Sequence, residues 1–226
     1  MTQLAISPFV IVATLAFTAL FISLTLLPIH LHETPYNYTE TTIGTLFVPG
    51  GIGMLIGSLI GGWLSDKAMK YYGDVICPEG CLVPGLTFPI LSSIGLIIYG
   101  WTFHYRLHVI GPIIGQILIG LGYSVLAPGV SAYLTVKKQE QAATVSSLNG
   151  FFDSFSSSIF VTAAVPLEKA MNTGYLFSLI CGINFVAIVL VSILVYKGIR
   201  RAKLSVMPEN GIGSGSESCP DRPISP

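Results

Sequence analysis

Six long apolar runs alternate with short polar links along the chain, at residues 4–31, 41–64, 82–103, 109–136, 142–165 and 175–196. None holds Asp, Glu, Lys or Arg except the fifth, which contains Asp153. At about 1.5 Å per residue, each run is long enough for a helix to cross a hydrocarbon core roughly 30 Å thick. The pattern predicts six membrane-spanning helices. The first run has no basic residues before it, exceeds a signal peptide's apolar stretch and shows no small-residue cleavage site before Glu33, so it reads as a retained span. Thr39 or Thr41 is placed to cap the second, with Glu40 near its positive dipole end. Pro84 and Pro89 are tolerable in the third if neighbouring helices satisfy the freed carbonyls. Tyr99 and Trp101 suit an interfacial belt. Pro128 is expected to break the fourth span, and residues 65–81 to form a loop. The chain then divides into a bundle over 1–199 and a tail over 200–226, basic at first, then rich in Gly, Ser and Pro and expected to be disordered.

Two spans carry small residues at every fourth position. Gly53, Gly57 and Gly61, continued by Ser65, mark the second; Ala142, Ser146, Gly150, Ser154, Ser158 and Thr162 mark the fifth. Positions four apart share a helix face. In lipid, such faces let two helix backbones approach closely. The second span is followed by Asp66-Lys67-Ala68-Met69 and the fifth by Glu168-Lys169-Ala170-Met171. Each echo follows the second helix of a group of three, on opposite sides of the membrane. This placement favours a 3+3 inverted repeat. The alternative is two unrelated spans rich in small residues.

Composition agrees with a polytopic, all-α membrane protein. Of 226 residues only 10% are charged, against about 25% in soluble domains, and the mean hydropathy is +0.74. The formal net charge is zero, and no basic stripe points to nucleic acid. Cys77 and Cys81 form a CxxxC without a second ligand pair nearby, so no metal and no cofactor are expected. Lys67, Lys70, Lys137, Lys138, Lys197, Arg200, Arg201, Lys203 and Arg222 fall on one side of the six-span topology, and only Arg106 and Lys169 on the other. The bias places both termini in the cytosol. No histidine lies within the bundle to pair with a serine, and one buried carboxylate cannot form an aspartyl pair, so the chain is not read as an enzyme.

Asp153 is costly at a helix centre, by about 2.5–3.5 kcal/mol. It is a candidate proton or cation site with Asn149; the other reading is a protonated acid satisfied by Ser157 or Asn149. His30, His32, His104 and His108 all fall near the outer face. They read as interfacial residues or as a pH-sensing cluster.

Gly62-Trp63-Leu64-Ser65-Asp66-Lys67 resembles the G-x-L-x-D-R/K signature of the major facilitator superfamily, with Lys70 at a later basic position and Met69 where the family has Gly. TPYNYTETTIGTLFVPGGIG, PEGCLVPG, GPIIGQILIGLGY and SAYLTVKKQEQAATVSSLNGFF resemble, in that order, later helices of its fungal drug:proton antiporter branch. The resemblance covers residues 6–196 and is to the C-terminal six helices of a twelve-helix transporter. It implies one half of the fold, with substrate held against an N-terminal half or a second copy. It implies a conformational gate at Gly62, Leu64, Asp66, Lys67 and Lys70, and a substrate cavity lined by Phe17, Phe21, Gln116 and Tyr123. Gly53, Gly57 and Gly61, with Ser146, Gly150 and Ser154, are then expected to face the missing partner. The function implied is alternating-access transport of a small organic solute, drug- or polyamine-like and proton-coupled, in the plasma membrane ahead of the vacuole. The alternative is a non-transporting fragment or a regulatory membrane protein.

Overall fold

The computed structural model describes residues 2–34, 36–72, 88–137 and 142–206. They form seven helical segments and, among the described residues, no strand: α1 (Thr2–His32), α2 (Glu40–Leu46), α3 (Val48–Tyr72), α4 (Pro89–His104), α5 (Ile110–Lys137), α6 (Ala142–Met171) and α7 (Thr173–Val206). Among the described residues, five stretches are long and apolar enough to cross a membrane: Ile11–His32, Glu40–Lys67, Ile110–Gly129, Ser146–Met171 and Thr173–Ile193. The described part of the third expected span is α4, at 16 residues shorter than the roughly 20 a crossing needs. Residues 82–87 of that span, the CxxxC and residues 207–226 of the tail lie outside the described residues.

The helices depart from the expected boundaries for local reasons. The second span is two helices, because Pro49 has no N–H to continue the ladder. Phe47 keeps helical angles (φ −77°, ψ −24°) but bonds Gly44 with the tighter spacing of a turn. Thr39 stands at the N-cap in extended conformation, yet its hydroxyl meets Thr42 rather than a backbone N–H. The expected loop after Leu64 is helical to Tyr72, since Leu, Lys, Ala and Met favour helix and no breaker intervenes. Pro128 and Pro166 do not break α5 and α6, which run through them. Helix α7 continues to Val206, beyond the expected end at 196.

The largest contacts pair α3 with α5, α5 with α4, α4 with α7, and α1 with α6. Helix α1 also meets α4, α5 and α7, and supplies much of the core: Leu20, Leu26, Leu27 and Leu31 are almost fully buried with Leu96, Ile119, Leu176 and Phe177. Tyr99, expected in an interfacial belt, is instead completely buried; its hydroxyl donates to the Ser23 carbonyl at 2.8 Å, and its ring meets Phe103 and Phe177. Gly95 and Gly115 let α4 and α5 touch backbone to backbone, an added Cβ on either standing 2.8–2.9 Å from the other's carbonyl.

A single residue, Asn172, separates α6 from α7. Its φ of +68° is the left-handed region that Asn and Gly enter most readily. Its N–H closes on the Glu168 carbonyl at 2.9 Å. Asn172→Gly is expected to leave thermal stability in detergent nearly unchanged, whereas Asn172→Val should lower it by about 1–2 kcal/mol. Equal melting of the two variants would contradict this account of the turn.

Candidate functional site

Helices α1 and α6 run side by side in the same direction, and their facing surfaces bring the polar centre of the bundle together. Asp153 on α6 is only 8% exposed. Its Oδ1 accepts a hydrogen bond from the Thr14 hydroxyl of α1 at 2.5 Å, and its Oδ2 accepts one from Nδ2 of Asn149, one helical turn away, at 3.0 Å. Of the two expected hydrogen-bond partners, Asn149 serves the carboxyl, while Ser157 donates to the Ser154 carbonyl instead. The Asn149 Oδ1 is buried without a partner, which leaves an acceptor beside the carboxylate. One donor on each carboxylate oxygen does not use all its lone pairs.

Thr14 was not among the residues singled out from the sequence. The signal was present: it is a polar residue in an apolar run, three before Phe17 and seven before Phe21, on one helix face. Phe17 packs in tilted contact against Phe21 (centroids 4.5 Å apart) and Tyr123 of α5 (5.5 Å). Between α1 and α6, a groove of about 240 Å³ is lined by Phe17, Phe21, Thr25, Ser154, Ser158 and Val161, among others. Three of the four expected cavity residues thus come together next to the Asp153 face. Gln116 does not join them. It is 2% exposed, its side chain packs where Gly50 of α3 has no Cβ, and its Oε1 has no partner.

The two small-residue stripes have different fates. A Cβ at Gly53, Gly57 or Gly61 would stand 2.8, 2.9 or 2.6 Å from the carbonyl oxygen of Ile117, Leu121 or Val125 on α5. This stripe is therefore filled from within the chain, and the expectation that it faces a missing partner is corrected. Hydropathy cannot distinguish the two cases, because lipid and a neighbouring helix are equally apolar. Ser146, Gly150 and Ser154 on α6 are exposed, and a Cβ at Gly150 would meet nothing within 4 Å. The residues expected to form a gate lie on the last turns of α3. Asp66, Lys67 and Lys70 are exposed, Gly62 and Leu64 are half-buried, and the Lys67 ammonium sits 4.8 Å over the Trp63 ring. Among the described residues, no group of three His, Cys, Asp or Glu is placed to hold a metal.

Among the described residues the chain is an all-helical bundle with a buried carboxylate between two apolar, parallel helices. The profile of the Major Facilitator Superfamily matches residues 1–161; the chain belongs to that superfamily. It is 29% identical over 160 residues to the MFS antiporter QDR3 of Candida albicans, covering 69% of this chain and 23% of that protein. It is 31% identical over 143 residues to the MFS-type transporter penM of Penicillium rubens (62% and 28%), and 30% identical over 177 residues to the MFS transporter eqxG of Fusarium heterosporum (76% and 37%). The chain thus spans well under half the length of these relatives. No solved structure matches it. The family is one of multi-pass membrane transporters, not enzymes.

Proposed function

We propose that the chain acts as one half of a major facilitator carrier that moves a small organic solute, drug- or polyamine-like, in exchange for protons. The observation that carries this reading is the Asp153 carboxyl held between Thr14 and Asn149 beside the Phe17–Phe21–Tyr123 aromatic cluster. An aromatic face next to an acid suits an organic cation. The antiporter name of the Candida relative supports exchange of the solute for a second species, taken here to be the proton.

The six spans are read as two inverted triplets, α1 with α2–α3 and α4, then α5, α6 and α7. The Asp66–Lys67 end of α3 and the Glu168–Lys169 end of α6 occupy corresponding places in the two. Gly62, Leu64, Asp66, Lys67 and Lys70 form the gate at the cytosolic end, with both termini cytosolic and the plasma membrane the site of action. The second half, or a second copy, packs on the exposed α6 stripe at Ser146, Gly150 and Ser154. Residues 1–199 make up the transport bundle, and 200–226 the cytosolic tail.

The test is uptake of a cationic aromatic dye into proteoliposomes under a pH gradient, with association followed by crosslinking in the same vesicles. Asp153→Asn is expected to slow gradient-driven uptake about 10–100-fold, the loss of one charge-assisted contact, without changing insertion. Uptake that ignores both the gradient and the substitution would refute the role of Asp153. A chain that inserts, stays monomeric and moves no dye would favour the non-transporting or regulatory alternative.

A further inference from the structure

At the end of the bundle opposite Asp66, the last turns of α1, α4 and α6 and the first of α7 surround a polar cleft of about 280 Å³. At its wall, His30 of α1 places Nε2 2.5 Å from Glu168 Oε1 of α6, with both side chains largely shielded (15% and 11% exposed). The Thr173 hydroxyl at the start of α7 donates to the same Glu168 oxygen at 2.7 Å. Phe103 of α4 stacks on the imidazole, centroids 4.6 Å apart. Four helices therefore converge on one His–Glu contact.

We propose that His30 and Glu168 form a proton-binding site, separate from Asp153, that clamps the ends of α1 and α6 together when the imidazole is charged. Asp153 and Glu168 are fifteen positions apart, about 22 Å along α6, so the two sites are distinct. They nonetheless act on the same pair of helices. The groove lined by Phe17, Phe21 and Ser158 lies between them along the α1–α6 seam. An imidazole changes charge near neutral pH. As imidazolium, His30 attracts the carboxylate in a site partly withdrawn from water, where a pair interacts more strongly than in bulk solvent. Neutral imidazole keeps one N–H and can still donate it, but that attraction is lost. The other groups facing the site are Glu33 and Tyr36 after α1, His104 and Arg106 after α4, and Lys169 on α6. The two permanent bases, Arg106 and Lys169, offset the two acids, Glu33 and Glu168. Tyr36 stays a neutral donor: burial first, and Tyr38 second, push its phenol above the ordinary range against the opposing pull of Arg106, and its hydroxyl is committed to the Leu107 carbonyl.

The proposal is independent of what is transported, and so is its test. Spin labels at His32→Cys and Ala170→Cys, in a full-length chain whose Cys77, Cys81 and Cys219 are serine, report the α1–α6 separation in lipid nanodiscs. A narrow distance distribution is expected at about pH 5.5 and one at least about twice as wide at about pH 8.5, either side of the imidazole range. His30→Gln should be wide at both, and His104→Gln should keep the response. Should His30→Gln fail to fold, Glu168→Gln replaces it with the same expectation. A distribution that does not change with pH overturns the proposal, as does a response that survives loss of His30 or Glu168.

Discussion

Gly61→Leu is expected to destabilise the bundle by about 3 kcal/mol, the upper end of the overpacking range. An ideal Cβ at this position stands 2.6 Å from the Val125 carbonyl oxygen and 2.7 Å from its Cα. Those are backbone atoms inside a helix, not the free end of a side chain, so relief requires α3 and α5 to move apart. Separation along this seam also loosens Gly57, whose added Cβ would lie 2.9 Å from the Leu121 carbonyl oxygen, and Gly53. Two substitutions serve as controls. Gly62 is adjacent in sequence but faces open space, as does Gly150; Ala at the first and Leu at the second should change stability by no more than about 0.5 kcal/mol. Reversible unfolding in bicelles would measure all three. If Gly61→Leu melts like Gly62→Ala, the α3–α5 contact is not as close as described. The same comparison separates folding from assembly: Gly150→Leu, not Gly57→Leu, is the variant that should impair pairing with another six-helix half while sparing the chain itself.

Tyr99→Ala should cost about 3 kcal/mol, the low end of the range for truncating a buried aromatic. The low end applies because lipid is as apolar as the core, so the transfer part of the penalty is small; the cavity and lost dispersion contacts remain. Tyr99 is fully buried, between Phe103 and Phe177, and reaches across to the Ser23 carbonyl of α1. Tyr99→Phe keeps the ring and removes only the hydrogen bond, which predicts a loss of about 1 kcal/mol. The ratio of the two, measured by the same unfolding assay, divides packing from hydrogen bonding at the point where α1, α4 and α7 meet. Equal losses in both variants would mean the hydroxyl, not the ring, holds that junction.

Length and hydropathy were enough to place five of the six expected spans among the described residues and, through the Gly62–Lys67 signature, the superfamily. They could not say which face of a uniformly apolar helix points inward, since lipid and protein core reward the same side chains. That is why the α3 stripe reads as an outward face although α5 fills it, and why Tyr99 reads as interfacial although it is completely buried. Prolines misled in both directions for a related reason. Pro49 ends one helix and starts another, whereas Pro128 and Pro166 are carried inside continuous helices; neighbours, not the residue alone, decide the outcome. The site was partly legible. Asp153 with Asn149 follows from the rarity of charge in the spans, whereas Phe17, Phe21 and Tyr123 were expected only from the resemblance to the superfamily. Thr14 and the His30–Glu168 contact depend on α1 and α6 running in register, with partners 139 and 138 positions apart.

The break at Phe47 turns one hydropathic stretch into two pieces of unequal durability. Seven residues are too few for α2 to hold its shape alone, and Ile43 is its one buried residue. Heat or denaturant should therefore release it first. Amide exchange across residues 42–46 is expected to run ahead of residues 52–60, so that the mouth of this span frays while its shaft stays locked to α5.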